Sequence, residues 1–235
     1  MIKIEAWSDF VCPFCYIGKR RLEEAIQASP YGNQVEIEYK AYELDPTAPE
    51  VSDEPYHVGL AKKYSMTEEK AIDMMNNVAE QAKTVGLDYN NAGMTPANTF
   101  KAHRLAKYAA TVNKQNELTE RLLKAYFIEG QKIGDNAVLI ALAKEVGLDE
   151  QAVEAVLTSE QYTEDVRNDI ALAGQIGVRG VPFFVINRKY AVSGAQPVEA
   201  FVQAIEKVAE EEGLQPSLQV LGDDSGLCGD DGCSI

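Results

Sequence analysis

Apolar and polar residues alternate from the start of the chain: Ile2, Ile4 and Ala6 are separated by Lys3 and Glu5, which predicts a strand with one buried face. The alternation stops at Ser8-Asp9. Pro13 suits the first position of a helix, where its missing N–H costs nothing, and helix formers continue to Ala28 with Phe14, Leu22, Ala25 and Ile26 on one face. Val35, Ile37 and Tyr39 then alternate with Glu36, Glu38 and Lys40, a second strand that ends before Asp45-Pro46. Residues 1–45 therefore read as strand, helix, strand.

The period changes over 46–175, which carries no convincing strand and six helical stretches. The first is 67–85, with Thr67 as N-cap and Ile72, Met75, Ala79 and Ala82 on one side. Thr95-Pro96 opens the second, followed by 118–127, 136–146, 149–157 and a stretch from 160 toward 174. This is enough chain for an all-helical unit of its own. The apolar run 181–186 then reads as a buried strand and 189–193 as its hairpin partner, and Val198, Phe201, Ile205 and Val208 stripe a last helix. Residues 176–213 thus resume the unit begun by 1–45. Residues 214–235 turn polar and acidic and are expected to form a mobile tail.

At 46% hydrophobic and 25% charged, the 235 residues have the make-up of a globular chain, and the order of strands and helices above makes it α/β. The 37 acidic residues against 22 basic ones give a net charge of -15, a field that repels nucleic acid and anionic lipid. No apolar run approaches the roughly 18 residues of a membrane span. Lys3 and Glu5 also stand where a signal peptide needs its apolar stretch. The expected address is the cytoplasm, with neither nucleic acid nor membrane as partner.

Four cysteines are too few for a disulfide scaffold, but they fall into two close pairs, Cys12/Cys15 and Cys228/Cys233. Cys12-Pro13-Phe14-Cys15 lies where a strand hands over to a helix, so Cys12 occupies the N-cap region. There the unpaired N–H groups and the positive end of the helix dipole favour thiolate, and Cys15, one turn on, is placed to close a disulfide. Any of Lys19, Arg20 and Arg21 that faces the sulfur would act in the same sense. A zinc half-site or an incidental buried pair are the other readings; no metal is expected. Val181-Pro182, at the head of a buried strand, reads together with the upstream strand and C-x-x-C helix as a cis-proline turn. Asp9 assists protons or caps a turn, Trp7 belongs to the core, and His57 sits among loop signals. The tail pair Cys228-x4-Cys233 stays open between an adventitious disulfide, an accessory redox pair and a metal site with the neighbouring aspartates. A flexible tail of 15 to 20 residues reaches about 20 to 25 Å, enough to visit Cys12 if it leaves from the same face.

The order strand, Cys-Pro-x-Cys helix, strand, helical insertion, Gly-Val-Pro, hairpin and final helix resembles the DsbA-like branch of the thioredoxin superfamily. More narrowly, Ser8-Asp9-Phe10-Val11-Cys12-Pro13-Phe14-Cys15-Tyr16-Ile17-Gly18, Asn98-Thr99 with Ala102-His103-Arg104-Leu105, Ala125-Tyr126-Phe127, Gly177-Val178-Arg179-Gly180-Val181-Pro182 and Gly194-Ala195-Gln196 resemble the FrnE-like proteins. The resemblance covers residues 1 to about 210 and implies a thioredoxin-like fold with a large helical insertion. It implies that Cys12 attacks substrate disulfides, that Cys15 resolves the mixed disulfide, and that the backbone of Val181 beside a cis Pro182 pairs with the bound peptide or thiol. His103 falls in the segment that faces the active site in that family, for proton transfer and substrate contact or else for a structural hydrogen bond.

The implied activity is protein-disulfide oxidoreductase or isomerase. It requires no cofactor, and its partners are disulfide-containing proteins or small thiols such as glutathione. Where DsbA-like oxidants commonly carry His between the cysteines, this chain has Phe14, which makes Cys12 a weaker oxidant and offers an apolar surface to substrate. Two other readings keep the fold. One is a glutathione-dependent enzyme like the kappa-class transferases or 2-hydroxychromene-2-carboxylate isomerases, in which Ser typically replaces the first cysteine. The other is a chaperone-like binder using an apolar groove between the two units.

Overall fold

The computed structural model describes residues 1–217. The strand β1 (Ile2–Ser8) is central in a four-stranded sheet. On one side it pairs in parallel with β2 (Val35–Ala41), and on the other antiparallel with β3 (Phe183–Ile186), which forms a hairpin with β4 (Tyr190–Ser193). One face of the sheet carries α1 (Pro13–Ala28) and α9 (Val198–Glu211); between β2 and β3 the chain forms α2 (Tyr56–Tyr64), α3 (Glu68–Lys83), α4 (Phe100–Thr111), α5 (Gln115–Phe127), α6 (Asn136–Glu145), α7 (Glu150–Thr158) and α8 (Thr163–Gln175). This is a thioredoxin-like α/β fold with a large helical insertion.

Ile2, Ile4 and Ala6 of β1 pack with Leu22 and Ala25 of α1 and with Phe201, Ile205 and Val208 of α9. The alternation at the start of the chain predicts a single buried face, whereas β1 is covered on both. Glu5 is only 3% exposed because Arg188 grips its carboxylate with two hydrogen bonds of 3.0 and 3.1 Å, and Trp7 is buried beside Ala173 of α8 with its indole N–H on the Asp169 carbonyl at 3.0 Å. A charged residue counts as exposed in a periodicity reading, but a carboxylate paired this way can be buried.

The helical layer has its own core, including Leu105, Leu118, Leu122, Leu139 and Leu142, and Phe10, Val11, Tyr16 and Ile17 extend into it from the β1–α1 segment. Side-chain caps mark its helix starts: Thr67 accepts from the Lys70 amide, Asp135 from that of Ala137 and Asp149 from that of Ala152. One helix was not expected from the sequence, and the largest shift of a boundary is at the start of α4. The short α2, with Gly59 in its middle and Lys62 and Lys63 in its last turn, has too weak an apolar stripe to be read. And α4 opens at Phe100 instead of Thr95-Pro96, because the Asn98 side chain accepts from the Phe100 amide at 3.0 Å.

The layer is fastened to the sheet by polar contacts. Gln115 spans Tyr39 on the edge of β2, accepting from its amide at 3.1 Å and donating to its carbonyl at 3.0 Å, and Asp169 accepts from the Ala41 amide at 2.8 Å. Glu120 of α5 is the larger knot. It accepts from the Tyr16 hydroxyl and from Lys19 Nζ, both at 2.6 Å, and from Arg20, while Glu23 takes the other side of Lys19 and Arg20 at 2.5 and 2.8 Å. The Lys19 side chain is 5% exposed, so removing Glu120 strands a buried ammonium on one remaining carboxylate. Glu120→Ala is expected to lower unfolding stability by about 2–4 kcal/mol, read as a lower urea midpoint; an unchanged midpoint would exclude this knot as a determinant of stability.

Candidate active site

The segment after β1 folds as a tight turn. The Cys12 amide donates to the Asp9 carbonyl at 3.1 Å and the Cys15 amide to the Cys12 carbonyl at 3.0 Å, which leaves Cys12 as the N-cap of α1 with Pro13 following. The antiparallel register pairs Trp7 with Phe183, so the chain just before β3 meets the chain just after β1. Cys12 Sγ accordingly lies 3.4 Å from the Val181 carbonyl oxygen, 169 positions away in the chain. The Val181–Pro182 peptide is cis, and β3 begins only at Phe183, since Pro182 has no N–H for the ladder.

Close approach of α1 to this loop depends on Gly18, where a Cβ would lie 2.9 Å from Pro182 Cγ and 3.3 Å from the Phe184 ring. The Gly194-Ala195-Gln196 segment completes the contact: the Gly194 amide donates to the Pro182 carbonyl at 2.8 Å and Arg21 donates to that of Ala195 at 2.5 Å.

Cys12 and Cys15 are both unbridged and nearly inaccessible, at 4% and 3% exposure, but Cys12 opens on a groove and Cys15 lies behind it. Burial pushes the Cys15 thiol well up, and its neighbour Cys12 adds to the effect; the Ser8 hydroxyl and the Asp9 amide, hydrogen-bonded to the same sulfur, pull the other way. The groove encloses about 290 Å³ and is walled by Phe14, Leu44, Tyr56, Tyr64, Met74 and Val181 among others. Phe14, at 38% exposure, faces this space and does not share the core face of Leu22 and Ala25. Four of the exposed large apolar residues, Phe14, Leu44, Tyr64 and Met74, gather here. Leu44, Tyr56, Tyr64 and Met74 escaped the sequence reading because they come from a loop, from the unread α2 and from the outer side of α3.

Two expectations for charged residues change. Lys19, Arg20 and Arg21 do not face the sulfur; they are drawn to Glu23, Glu120 and the Ala195 carbonyl. His103 does not line the groove. It is 4% exposed, its Nε2 donates to the Tyr42 carbonyl at 3.0 Å, and Asp9 Oδ1 lies 3.4 Å away, while Asp9 Oδ2 accepts from the Leu44 amide at 2.7 Å. Asp9 and His103 therefore hold the 42–44 loop that supplies Leu44 to the groove. Arg104 closes the turn after α7 by binding the carbonyls of Val156, Ser159 and Gln161. His57 lies half-buried in α2.

Among the described residues no three His, Cys, Asp or Glu side chains are grouped to hold a metal ion, and no helix is long and apolar enough to cross a membrane. Cys228 and Cys233 lie outside the described residues. The chain is last held at Ser217, whose amide donates to the Pro30 carbonyl at 2.8 Å, and at Gln215, whose carbonyl accepts from Gln34 at 2.7 Å. These contacts sit beside the start of β2, where Val35 pairs with Ile2, so the last described residues lie at the end of the sheet opposite Cys12, about 20 Å of strand away.

A family model described as DSBA-like thioredoxin domain matches residues 3–206. The uncharacterized protein YwbO of Bacillus subtilis is 31% identical over 206 residues, covering 87% of this chain and 96% of its own. The crystal structure of a probable DsbA oxidoreductase from Streptomyces coelicolor superposes with a TM-score of 0.84 at 36% identity, over 100% of this chain and 99% of that one. A 2-hydroxychromene-2-carboxylate isomerase shares the fold at 17% identity and TM-score 0.66, over 90% and 98% of the two chains.

The raised Cys15 thiol has a sign that can be measured. Native Cys15 keeps its proton where the unfolded chain, with a thiol near 8.5, loses it, so its contribution to stability is intact below about pH 8.5 and is lost as pH rises through the folded value. Unfolding free energies of the reduced protein between pH 7 and 10 are expected to fall more steeply with pH than those of Cys15→Ala. Equal slopes would contradict the burial effect.

Proposed function

The chain belongs to the DSBA-like thioredoxin domain family, and from that membership we propose that it is a thiol–disulfide oxidoreductase working through Cys12 and Cys15. The observation that carries this reading is the placement of Cys12 Sγ beside the Val181 carbonyl on the wall of an apolar groove, with Cys15 buried directly behind it. The Cys12 thiolate attacks one sulfur of a substrate disulfide held along Phe14 and the backbone of Val181 beside Pro182. A mixed disulfide forms and the other substrate sulfur leaves as a thiolate that takes up a proton. Cys15 then attacks Cys12 Sγ, releases the second substrate thiol and closes the Cys12–Cys15 disulfide, so that two electrons pass from the protein to the substrate.

The environment of Cys15 suits the order of these steps. Burial holds the Cys15 thiol protonated and, while Cys12 is free, its proximity adds to that; once Cys12 is committed to a mixed disulfide this addition is gone, which eases loss of the Cys15 proton against the burial that remains. Phe14, in place of a cation between the cysteines, tilts the pair toward the dithiol less than a histidine would. In a glutathione-poised cytoplasm the pair rests reduced and the protein acts as a reductase or isomerase on protein disulfides or small-thiol disulfides, with no bound cofactor.

Two variants test the reading. Cys12→Ser is expected to abolish reduction of insulin disulfides, and Cys15→Ser to accumulate a mixed disulfide at Cys12 that mass spectrometry detects after incubation with a disulfide substrate. A Cys12→Ser protein that still reduces insulin would sink the proposal, and glutathione-dependent turnover that survives Cys15→Ser would favour the isomerase or transferase reading instead.

A further inference from the structure

Nearly every cation of this acidic chain is engaged. Among the described residues, lysine and arginine side chains pair with carboxylates, bind backbone carbonyls or, for Lys207, lie over the Tyr190 ring. Lys70 and Arg179 have no such contact among the described residues, and Arg179 lies two residues before Val181 of the groove wall. Gly177, at φ 81°, ends α8, and the Val178 amide donates to the Ala173 carbonyl at 2.9 Å with the Val178 side chain buried in the cluster around Trp7. Arg179 follows on the outside, exposed, and Gly180 and Val181 then enter the groove wall. From Arg179 to Val181, whose carbonyl touches Cys12 Sγ, the backbone spans at most about 7 Å.

The electrostatic setting gives this placement its meaning. The groove lining contains no lysine or arginine, Asp9 and Glu43 stand behind its wall, and Asp45 in the adjoining cleft is already paired with Lys63. The net charge of -15 opposes any anion approaching Cys12. A guanidinium with no partner among the described residues, two residues from the reacting sulfur's neighbour, offers a fork of N–H donors matched to a carboxylate.

We propose that Arg179 is an anion handle that selects disulfides carrying a carboxylate a few bonds from the sulfur, the apolar part of the substrate lying along Phe14 and Met74. This deepens the oxidoreductase reading and rests on it. The reaction is unchanged: Cys12 attacks, the carboxylate-bearing thiolate leaves and is protonated, Cys15 displaces the second thiol, and two electrons pass to the substrate. Arg179 acts on the encounter and on the orientation of the disulfide.

The test uses three disulfides of similar size with the reduced full-length protein in single-turnover stopped flow: 3,3′-dithiodipropionate, bis(2-hydroxyethyl) disulfide and cystamine. Each rate is divided by that of the same disulfide with dithiothreitol, to remove differences in leaving-thiol reactivity. Wild type is expected to prefer dithiodipropionate over cystamine, with the preference fading as salt is raised. Arg179→Ala is expected to slow dithiodipropionate by about threefold to tenfold and leave the neutral disulfide unchanged; Arg179→Lys keeps part of the preference and Arg179→Glu reverses it. Lys144→Ala, which makes the same change in net charge at a cation paired with Glu150, is expected to do neither.

An unchanged charge preference in Arg179→Ala, an equal loss for the neutral disulfide, or an equal effect of Lys144→Ala would overturn the handle while leaving the oxidoreductase reading standing. A wild-type protein inert toward all three disulfides would overturn that reading and the handle with it.

Discussion

The pairing of β1 with β3, Trp7 opposite Phe183, is the constraint on which the site depends. It joins segments separated by the whole helical insertion, and it sets Cys12, four residues past the end of β1, against Val181, two residues before the start of β3. A slip of one residue in this register would turn Phe184 and Ile186 away from the α1–α9 core and carry the Val181 carbonyl off the sulfur. Burial enforces the register: Ile4 and Ala6 face the α1–α9 core, while Glu5 and Trp7 are fixed on the opposite face by Arg188 and the Asp169 carbonyl. The chemistry of two sulfurs thus rests on contacts that contain no sulfur.

The helix α1 is shared between two cores. Leu22 and Ala25 belong to the sheet, Tyr16 and Ile17 to the helical layer, and Gly18 between them lets Pro182 come close. A helix committed on both sides has little freedom to shift, which is what a pair of cysteines at its N-terminus needs if one is to meet substrate and the other to stay behind. The basic run Lys19-Arg20-Arg21 serves this fixation by binding Glu120, Glu23 and the Ala195 carbonyl. Its charges stabilise the position of the helix and leave the sulfur to the positive end of the helix dipole.

How much of this was legible in the sequence follows from the range of the interactions concerned. Cys12, Cys15 and the strand–helix junction are local, and Pro13, the alternation of β1 and the cap Thr67 announce themselves within a few residues. Glu5 was misjudged and His103 left open between two roles for one reason: whether a polar side chain faces solvent, substrate or a buried partner is decided by residues far off in the chain, Arg188 for Glu5, and Tyr42 and Asp9 for His103. The groove was the least legible part. Leu44, Tyr56, Tyr64 and Met74 come from three separate segments whose exposure is unremarkable singly and meaningful only when the fold gathers them.

That gathering also separates reaction from recognition. The sheet and α1 supply the dithiol and the Val181 carbonyl, parts that treat one disulfide much like another. The insertion supplies most of the groove, and there a flexible thioether, tyrosine rings and Leu44 present an apolar surface able to adapt to different side chains. Each methylene laid on such a surface stabilises the complex by about 0.8 kcal/mol, so a single aliphatic or aromatic side chain beside the disulfide outweighs the modest pull of one exposed charge. Apolar contact in the insertion therefore sets whether a substrate stays, and the loop before Pro182 can only choose among those that do. Substitutions in α2 and α3 should accordingly change which disulfides are used without changing the exchange between Cys12 and Cys15, because neither helix takes part in the β1–β3 register that holds the sulfur in place.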